Sequence, residues 1–368
     1  MVEDDDGHAL TAKNNTATCA FFQKYLNMPG DPSPGEIKIL NPEELTVTTT
    51  GQISSHSGGE TVFSINAREA VKLVEKINDS RKNPEKHLAE VLTKAKELSG
   101  YTAYQAKAEP VFRGRYKRDG YSVEMYALQG QGNCIIPLLL FVPETGSNFA
   151  SVIYLHPQGK ITDAAPGARI EQLVKKGYLV AAADVLGTGE VAPGNSFWGA
   201  GYFISTLSGI SLPGIQAGDV GIVVDFLKSR KDIDQERIGA MAFDEMCPSL
   251  LHAAVFNKSI SCISLVGSLV SYRSAVLNQF YEGGFVKNFV PGALSAYDLP
   301  DLIGCVAPRR IVLVELKDQM KQIAAKELVD EELKFPLTVY SQQNAANNIV
   351  IMPHTEDISS IADNCFRE

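Results

Sequence analysis

Residues 237–254 read Arg-Ile-Gly-Ala-Met-Ala-Phe-Asp-Glu-Met-Cys-Pro-Ser-Leu-Leu-His-Ala-Ala. Arg237–Ala242 has the composition of a buried strand and Pro248–Val255 that of a helix, with a sharp turn between them. A buried strand, a tight turn and a helix that opens on small and apolar residues form the geometry of a nucleophile elbow. The tip residue of such an elbow takes a strained backbone conformation beside a helix N-terminus, where negative charge is favoured. Glycine is wanted two residues to either side, because strand and helix pass very close there. The five positions here are Ala242, Phe243, Asp244, Glu245 and Met246. The scaffold of the motif is present; both glycines and the serine are not.

No Gly-X-Ser-X-Gly occurs elsewhere in the chain. Ser196, within Gly194–Gly199, misses the pattern by one position and follows no strand, and Cys247 and Ser249 lie too far into the helix. Asp244 is therefore the tip residue. Aspartate tolerates left-handed backbone angles better than most residues, so it can simply hold the turn. It can also act as a nucleophile toward an alkyl carbon. A carboxylate attacking an acyl carbon forms an anhydride, so Asp244 does not substitute directly for serine in ester hydrolysis.

Outward from the elbow, short apolar runs alternate with helical stretches. The runs are Ile135–Val142, Ser151–Leu155, Tyr178–Ala183, Arg237–Ala242, Ser261–Leu265, Arg310–Val314 and Asn348–Met352. The helical stretches are Ala168–Lys176, Ile215–Ser229, Pro248–Val255 and Asp318–Glu332. A hairpin, Arg113–Lys117 with Tyr121–Gln129, turns at Arg118-Asp119-Gly120. Alternation of this kind predicts an α/β fold with a mostly parallel, twisted sheet covered by helices on both faces. Chemistry in such sheets gathers at the carboxyl ends of the strands. After Ser151–Leu155 comes His156-Pro-Gln-Gly-Lys160, either a plain strand-to-helix loop or one that presents N–H groups to an oxyanion. Asp184-Val-Leu-Gly-Thr-Gly-Glu190 lacks the full phosphate-binding pattern.

Of the other candidates, His354 is a lone histidine just past a strand, with Thr355-Glu-Asp357 behind it. His252 reads as a packed core histidine, His87 as a surface residue on a solvated helix, and His56 as an unassigned loop residue. Asp298 and Asp301, around Leu299-Pro300, read as helix caps. The six cysteines have no close pair and no Cys-X-X-Cys, which excludes a zinc ribbon and a dense disulfide framework. Each reads as a buried small hydrophobe.

Composition bounds the partners. Over 368 residues the formal charge is −9, against the basic footprint that nucleic acid or anionic lipid demands. With 45% hydrophobic and 21% charged residues, the chain can bury a large core. No apolar run reaches the roughly 18–20 residues of a membrane span.

The first hundred residues are helical in pattern. A helix over 14–27 carries Cys19, Phe22 and Leu26 on one stripe, and Met28–Gly35 is a Pro/Gly linker. Thr46–Thr50 is extended or strand-like. A further helix starts near Asn66, and another starts at Asn83-Pro84 with Leu88, Val91, Leu92, Ala95 and Leu98 on its stripe.

From about Tyr121 to His354 the chain resembles the α/β-hydrolase superfamily and, within it, the acetyl xylan esterase-like carbohydrate esterases. The matching pieces are Leu155–Lys160, Gly177–Val180 through Asp184–Glu190, and Gly218-Asp219 before the Val-Val-Asp-Phe-Leu helix. They continue through Asp234–Gly239, Tyr297–Leu302 and Ala307–Arg310. The resemblance implies a serine at the elbow, an acid after the seventh strand and a histidine after the eighth. These positions carry over to Asp244, Asp318 and His354 as the catalytic set, with His156, Pro157, Gln158 and Glu245 around the oxyanion and substrate. It implies no metal and no organic cofactor.

The amino-terminal Glu3–His8 and the helix behind it resemble the end of a preceding domain of the same fold. This implies residues 1–45 as a remnant with its linker, 46–103 as a helical connector and 104–368 as the hydrolase-like domain. The implied partners are an upstream catalytic domain of the same polypeptide and an acylated polysaccharide or other small ester. The acidic start lacks the basic region of a signal peptide; the resemblance implies that the parent protein is exported. Two other outcomes stay open: hydrolysis by attack of Asp244 on an alkyl carbon, with His354 and Asp318, and a carbohydrate-binding or structural module without catalysis.

Overall fold

The computed structural model describes all residues except 34, 36–37, 104–108, 133, 194–199 and 368. Ser196 and part of the Met28–Gly35 linker fall outside the described residues. Contacts divide the chain into two compact units, Met1–Thr61 and Val62–Glu368.

In the first unit a helix runs from Ala12 to Tyr25, its N-terminus capped by Thr11, and none of its residues is buried. A capping box on Asn41 starts a single turn at Pro42–Leu45. Thr46–Thr50 joins no strand; the Gly51 N–H closes back on the Thr48 carbonyl (3.1 Å), so local turn bonding replaces the expected extended segment.

Among the described residues the second unit is built on nine strands: β1 Val111–Arg118, β2 Tyr121–Gln129, β3 Ile135–Pro143, β4 Phe149–Leu155, β5 Leu179–Ala183, β6 Ile233–Phe243, β7 Cys262–Val266, β8 Arg310–Val314 and β9 Ile349–Met352. Their spatial order is β1-β2-β3-β5-β4-β6-β7-β8-β9. The pairs from β1 to β3, and β3 with β5, are antiparallel; all the others are parallel. The central strands β4 and β5 are buried along their whole length, which is why they are continuous apolar runs and not alternating ones. Two cores form, one on each sheet face: Ile153, Ala181 and Leu313 look into the first, Val152, Val180 and Val312 into the second.

The helices Val62–Ser80 and Pro84–Ser99, read from sequence as part of a connector, belong to this second unit. Asn83 caps the latter through Lys86 N–H, Pro84 opens it, and Gly100 ends it in the left-handed conformation. His87 corrects the sequence expectation. It is fully buried, with Nε2 on Asp301 Oδ1 (2.9 Å) and Nδ1 sharing a hydrogen bond with Ser80 Oγ (2.9 Å). Arg81 makes a two-pronged ion pair with the same Asp301 (2.7 and 3.0 Å). Asp298 and Asp301 do form a capping box on the helix Leu299–Val306, and Asp301 is also the buried anchor of the two helices. His252 is core, bonded to the Pro248 carbonyl (2.7 Å) and the Tyr297 hydroxyl (3.0 Å).

Two further expectations change. The helix assigned to Asp318–Glu332 runs from Lys326 to Gln342; Asp318 spends its carboxylate on its own turn instead. Cys262, at the start of β7, is disulfide-bonded to Cys365 in the last helix, Ile358–Phe366. The sheet makes room for this pairing at Gly239, where a Cβ would lie 2.9 Å from Cys262 Sγ and 2.6 Å from the Phe366 ring.

Candidate functional site at the strand ends

The parallel strands point the same way, so the residues after β4, β6, β7, β8 and β9 meet along one edge of the sheet. Those residues include His156, Asp244, Gly267, Glu315 and His354. Asp244 follows β6 directly with φ 45°, then a single tight turn leads into the helix Cys247–Phe256. This is the elbow in the register read from sequence, tip residue included. Its side chain is exposed and packs over Gly267, the residue after β7, where a Cβ would sit 2.6 Å from Asp244 Oδ1. Gly267 has φ 71°, so glycine serves there both for its backbone angle and for its missing side chain. Partial desolvation first, and the Glu245 carboxylate second, push the Asp244 pKa up.

Glu245 follows the tip, the position whose backbone N–H serves as an oxyanion donor in hydrolases of this geometry. Its carboxylate is bonded to Lys321, and Asn288 Nδ2 donates to its carbonyl. Burial would raise the Glu245 pKa, but Lys321 and the residue's own backbone N–H outweigh it and hold the carboxyl ionised. The Glu245 carboxylate, paired with Lys321, thus keeps a negative charge beside the N–H that a developing oxyanion would use.

His156 stands after β4, half-buried, its ring 5.6 Å from that of Phe243. The Gln158 N–H donates to its Nδ1 (3.2 Å), which leaves Nε2 as the protonated nitrogen. Burial pushes its pKa down, partly offset by Asp163 and Asp244, so the ring is a neutral donor facing the tip. Pro157 is half-buried and Gln158 exposed on the same loop. Lys160 has turned away: it is buried on Asp184 Oδ2 (2.6 Å) and also meets Glu190, stapling the loops after β4 and β5 together. The acids of Asp184–Glu190 are therefore structural.

His354 is exposed beyond β9. Its Nδ1 is paired with Glu315, the first residue after β8, and its Nε2 with Glu356 (2.9 Å). Glu315 has φ 50°, which turns its carboxylate across to the next strand end, and it also holds Lys317. Asp318 has both Met320 and Gln322 N–H groups on Oδ1 (2.8 and 2.9 Å), so the expected Asp318–His354 pair is replaced by Glu315–His354. Glu356 first and Glu315 second push the His354 pKa up. Glu315 on Nδ1 is the acid–histidine pairing that such triads use, while Glu356 engages Nε2, the nitrogen that would have to reach the elbow tip. Among the described residues no hydrogen bond links His354 to Asp244. The first acid after the strand, not the fourth residue after it, was the signal that pointed to Glu315.

No group of three or more metal-ligating side chains with suitable geometry occurs among the described residues, and no helix among them is long and apolar enough to cross a membrane.

No family model matches the chain, and none of the curated proteins does. Solved structures do. One is a candidate acetyl xylan esterase from Bacteroides fragilis, 16% identical over 86% of this chain and 87% of that one, with a TM-score of 0.65. A methylesterase follows at 18% identity, 81% and 68% coverage and 0.57. A glucuronoyl esterase from Solibacter usitatus stands at 14%, 76% and 92%, and 0.55. Identities this low speak for the fold and not for activity. The chain has the α/β-hydrolase fold, shared with acetyl xylan esterase-like carbohydrate esterases.

Proposed function

We propose that this chain is a carbohydrate-esterase-like domain that has kept its ligand-facing edge and lost ester hydrolysis, working beside a catalytic domain of the same polypeptide. The reading is carried by one observation: the elbow tip at φ 45° is a carboxylate, where serine hydrolysis needs a hydroxyl. Beside it Glu245 is paired with Lys321, and His354 Nε2 is engaged by Glu356 and not by the tip. In the parent protein the reaction is removal of acetyl or similar acyl groups from a polysaccharide, as the names of the structural neighbours suggest. The Cys262–Cys365 disulfide supports export, since such bonds persist in oxidising compartments.

The exposed tip at φ 45° also favours a second reading, attack by Asp244 on an alkyl carbon with formation of an ester intermediate. Turnover of 4-nitrophenyl acetate and of acetylated xylan separates the readings from ordinary esterase chemistry. The expected result is no rate above that of Asp244→Ala. Hydrolysis well above that variant overturns the proposal, and a covalent adduct on Asp244, seen by peptide mass spectrometry after incubation with a haloalkane, establishes the second reading.

A further inference from the structure

After β7 the chain runs Gly267-Ser-Leu-Val-Ser-Tyr-Arg273 into the short helix Tyr272–Val276, and its last three residues grip two buried carboxyl groups. The Tyr272 and Arg273 N–H groups donate to Asp298 (2.6 and 3.0 Å), which also takes the Leu299 N–H (2.7 Å), so one carboxyl caps two helices. Ser271 Oγ and Arg273 Nε donate to Oε1 of Glu332, on the helix Lys326–Gln342 (2.8 and 2.6 Å). Both acids are only 2% exposed, and Glu332 Oε2 is buried with no hydrogen-bond partner among the described residues.

Two carboxyl groups held by three consecutive residues share one low-dielectric site, where like charges repel strongly. The cations around them do not match their number. Arg273 is divided between Glu332 and the exposed Glu331 (2.9 Å). Arg81 and His87 are taken by Asp301, which meets Asp298 through the Asp298 N–H (2.7 Å). Burial keeps the neighbouring Tyr272 and Tyr297 hydroxyls neutral, and it pushes His252, bonded to Tyr297, down to about 4. Burial first and Glu332 second push the Asp298 pKa up to about 7 from 3.8, against the pull of its three N–H donors. The pair is also connected to the elbow. Tyr272, held at its N–H by Asp298, donates its hydroxyl to the Asn288 carbonyl (3.1 Å), and Asn288 Nδ2 donates to the Glu245 carbonyl. We propose that Asp298 and Glu332 hold one proton between them and form a pH-sensitive switch, relayed to the elbow through Tyr272 and Asn288. With the proton bound, the pair carries one charge against Arg273, and the path to Glu245 is held. Losing it sets two carboxylates against one guanidinium, and Ser271–Arg273, gripped by both, is the segment that yields. The folded state keeps this proton at a higher pH than the unfolded chain, so stability falls as pH rises from 3.8 through about 7.

The test follows the Asn288 side-chain amide of the full chain by NMR between about pH 5 and 9, the signal being assigned by its absence in Asn288→Asp. The expected result is a shift with a one-proton midpoint between about pH 6 and 8. Glu332→Gln keeps an oxygen for Ser271 and Arg273 and places an N–H at the Oε2 position. It should abolish the titration, leave the signal at the parent's low-pH position and at least halve the fall of melting temperature with pH. Asp298→Asn, which removes the charge of the other member, is a second route to the same result. Tyr272→Phe should also silence Asn288 while the fall of melting temperature with pH persists. An Asn288 signal that does not titrate in the parent, or that keeps its midpoint in Glu332→Gln, overturns the switch. A titration that survives Tyr272→Phe overturns the relay and assigns the response to groups at the elbow itself.

Discussion

Asp301 and Asp244 are both carboxylates in the turn that opens a helix, and they do opposite things. Asp301 is inaccessible to solvent and takes hydrogen bonds from Arg81, His87 and the Asp298 N–H. Burial would raise its pKa; His87 and Arg81 outweigh that and hold it low. Asp244 is exposed, its carboxylate has no hydrogen bond among the described contacts, and its pKa is shifted up. The first is built into the fold from every side, while the second is held only by its backbone. A buried ion pair with one partner removed leaves an unpaired charge inside the protein, a far larger loss than an exposed one. Architecture and ligand-facing chemistry are therefore separable in this molecule by how many partners each acid has.

The largest effect expected follows from Asp301→Ala. It strands Arg81 and His87 and removes half of the capping box, so urea unfolding should show a loss of about 3–5 kcal/mol. A loss below about 1 kcal/mol breaks the contrast with Asp244. Next comes the disulfide. Cys262 and Cys365 are 103 residues apart, a long loop for the unfolded chain to close. Cys262→Ala/Cys365→Ala should cost about 2–4 kcal/mol, and dithiothreitol should lower the parent's melting temperature but not the variant's. Equal melting behaviour with and without reductant removes the last helix from the architectural side.

Asp219 lies between the extremes. It is buried, but its described partner is a single donor, the Leu186 N–H (2.9 Å), and burial pushes its pKa up to about 6 from 3.8. The folded state keeps the proton up to about pH 6, whereas the unfolded chain releases it near its ordinary value. Folding therefore binds a proton within that window, and stability falls as pH rises through it, by at most about 3 kcal/mol. Asp219→Asn, whose amide oxygen can still accept from Leu186, should flatten this part of the pH–stability curve between pH 4 and 6. A slope unchanged in the variant assigns the titration to another group.

How far the sequence carried the fold is seen strand by strand. All nine strands are apolar runs or a hairpin, and the buried strand before Asp244 is long enough to set the elbow's register, so these features are local and legible. What was not legible is pairing across distance. His87 stands four residues from Val91 and eight from Ala95, on the buried stripe, so its burial had a periodic signal. Its partner Asp301 is 214 residues away and has none. Glu315 lost to Asp318 although the strand was read to its end at Val314, because the left-handed turn at Glu315, φ 50°, decides which acid faces the next loop. Cys262 and Cys365 met for the same non-local reason, through the path of the last helix over Gly239.

The smallest effect should come from the elbow tip. Its backbone angle is left-handed, which asparagine tolerates about as well as aspartate. Asp244→Asn removes the charge while keeping the angle, the volume and an accepting oxygen. With no described hydrogen bond to lose, stability should move by no more than about 0.5 kcal/mol, and slightly upward if removing repulsion from Glu245 dominates. Asp244→Ala differs: a methyl side chain at φ 45° adds backbone strain, and a loss near 1 kcal/mol is expected from that alone. Comparing the two by thermal unfolding therefore separates charge from conformation. If asparagine costs as much as alanine, the carboxylate itself stabilises the fold. Asp244 then joins Asp301 on the architectural side, and the elbow charge would have to be explained by structure and not by what it faces.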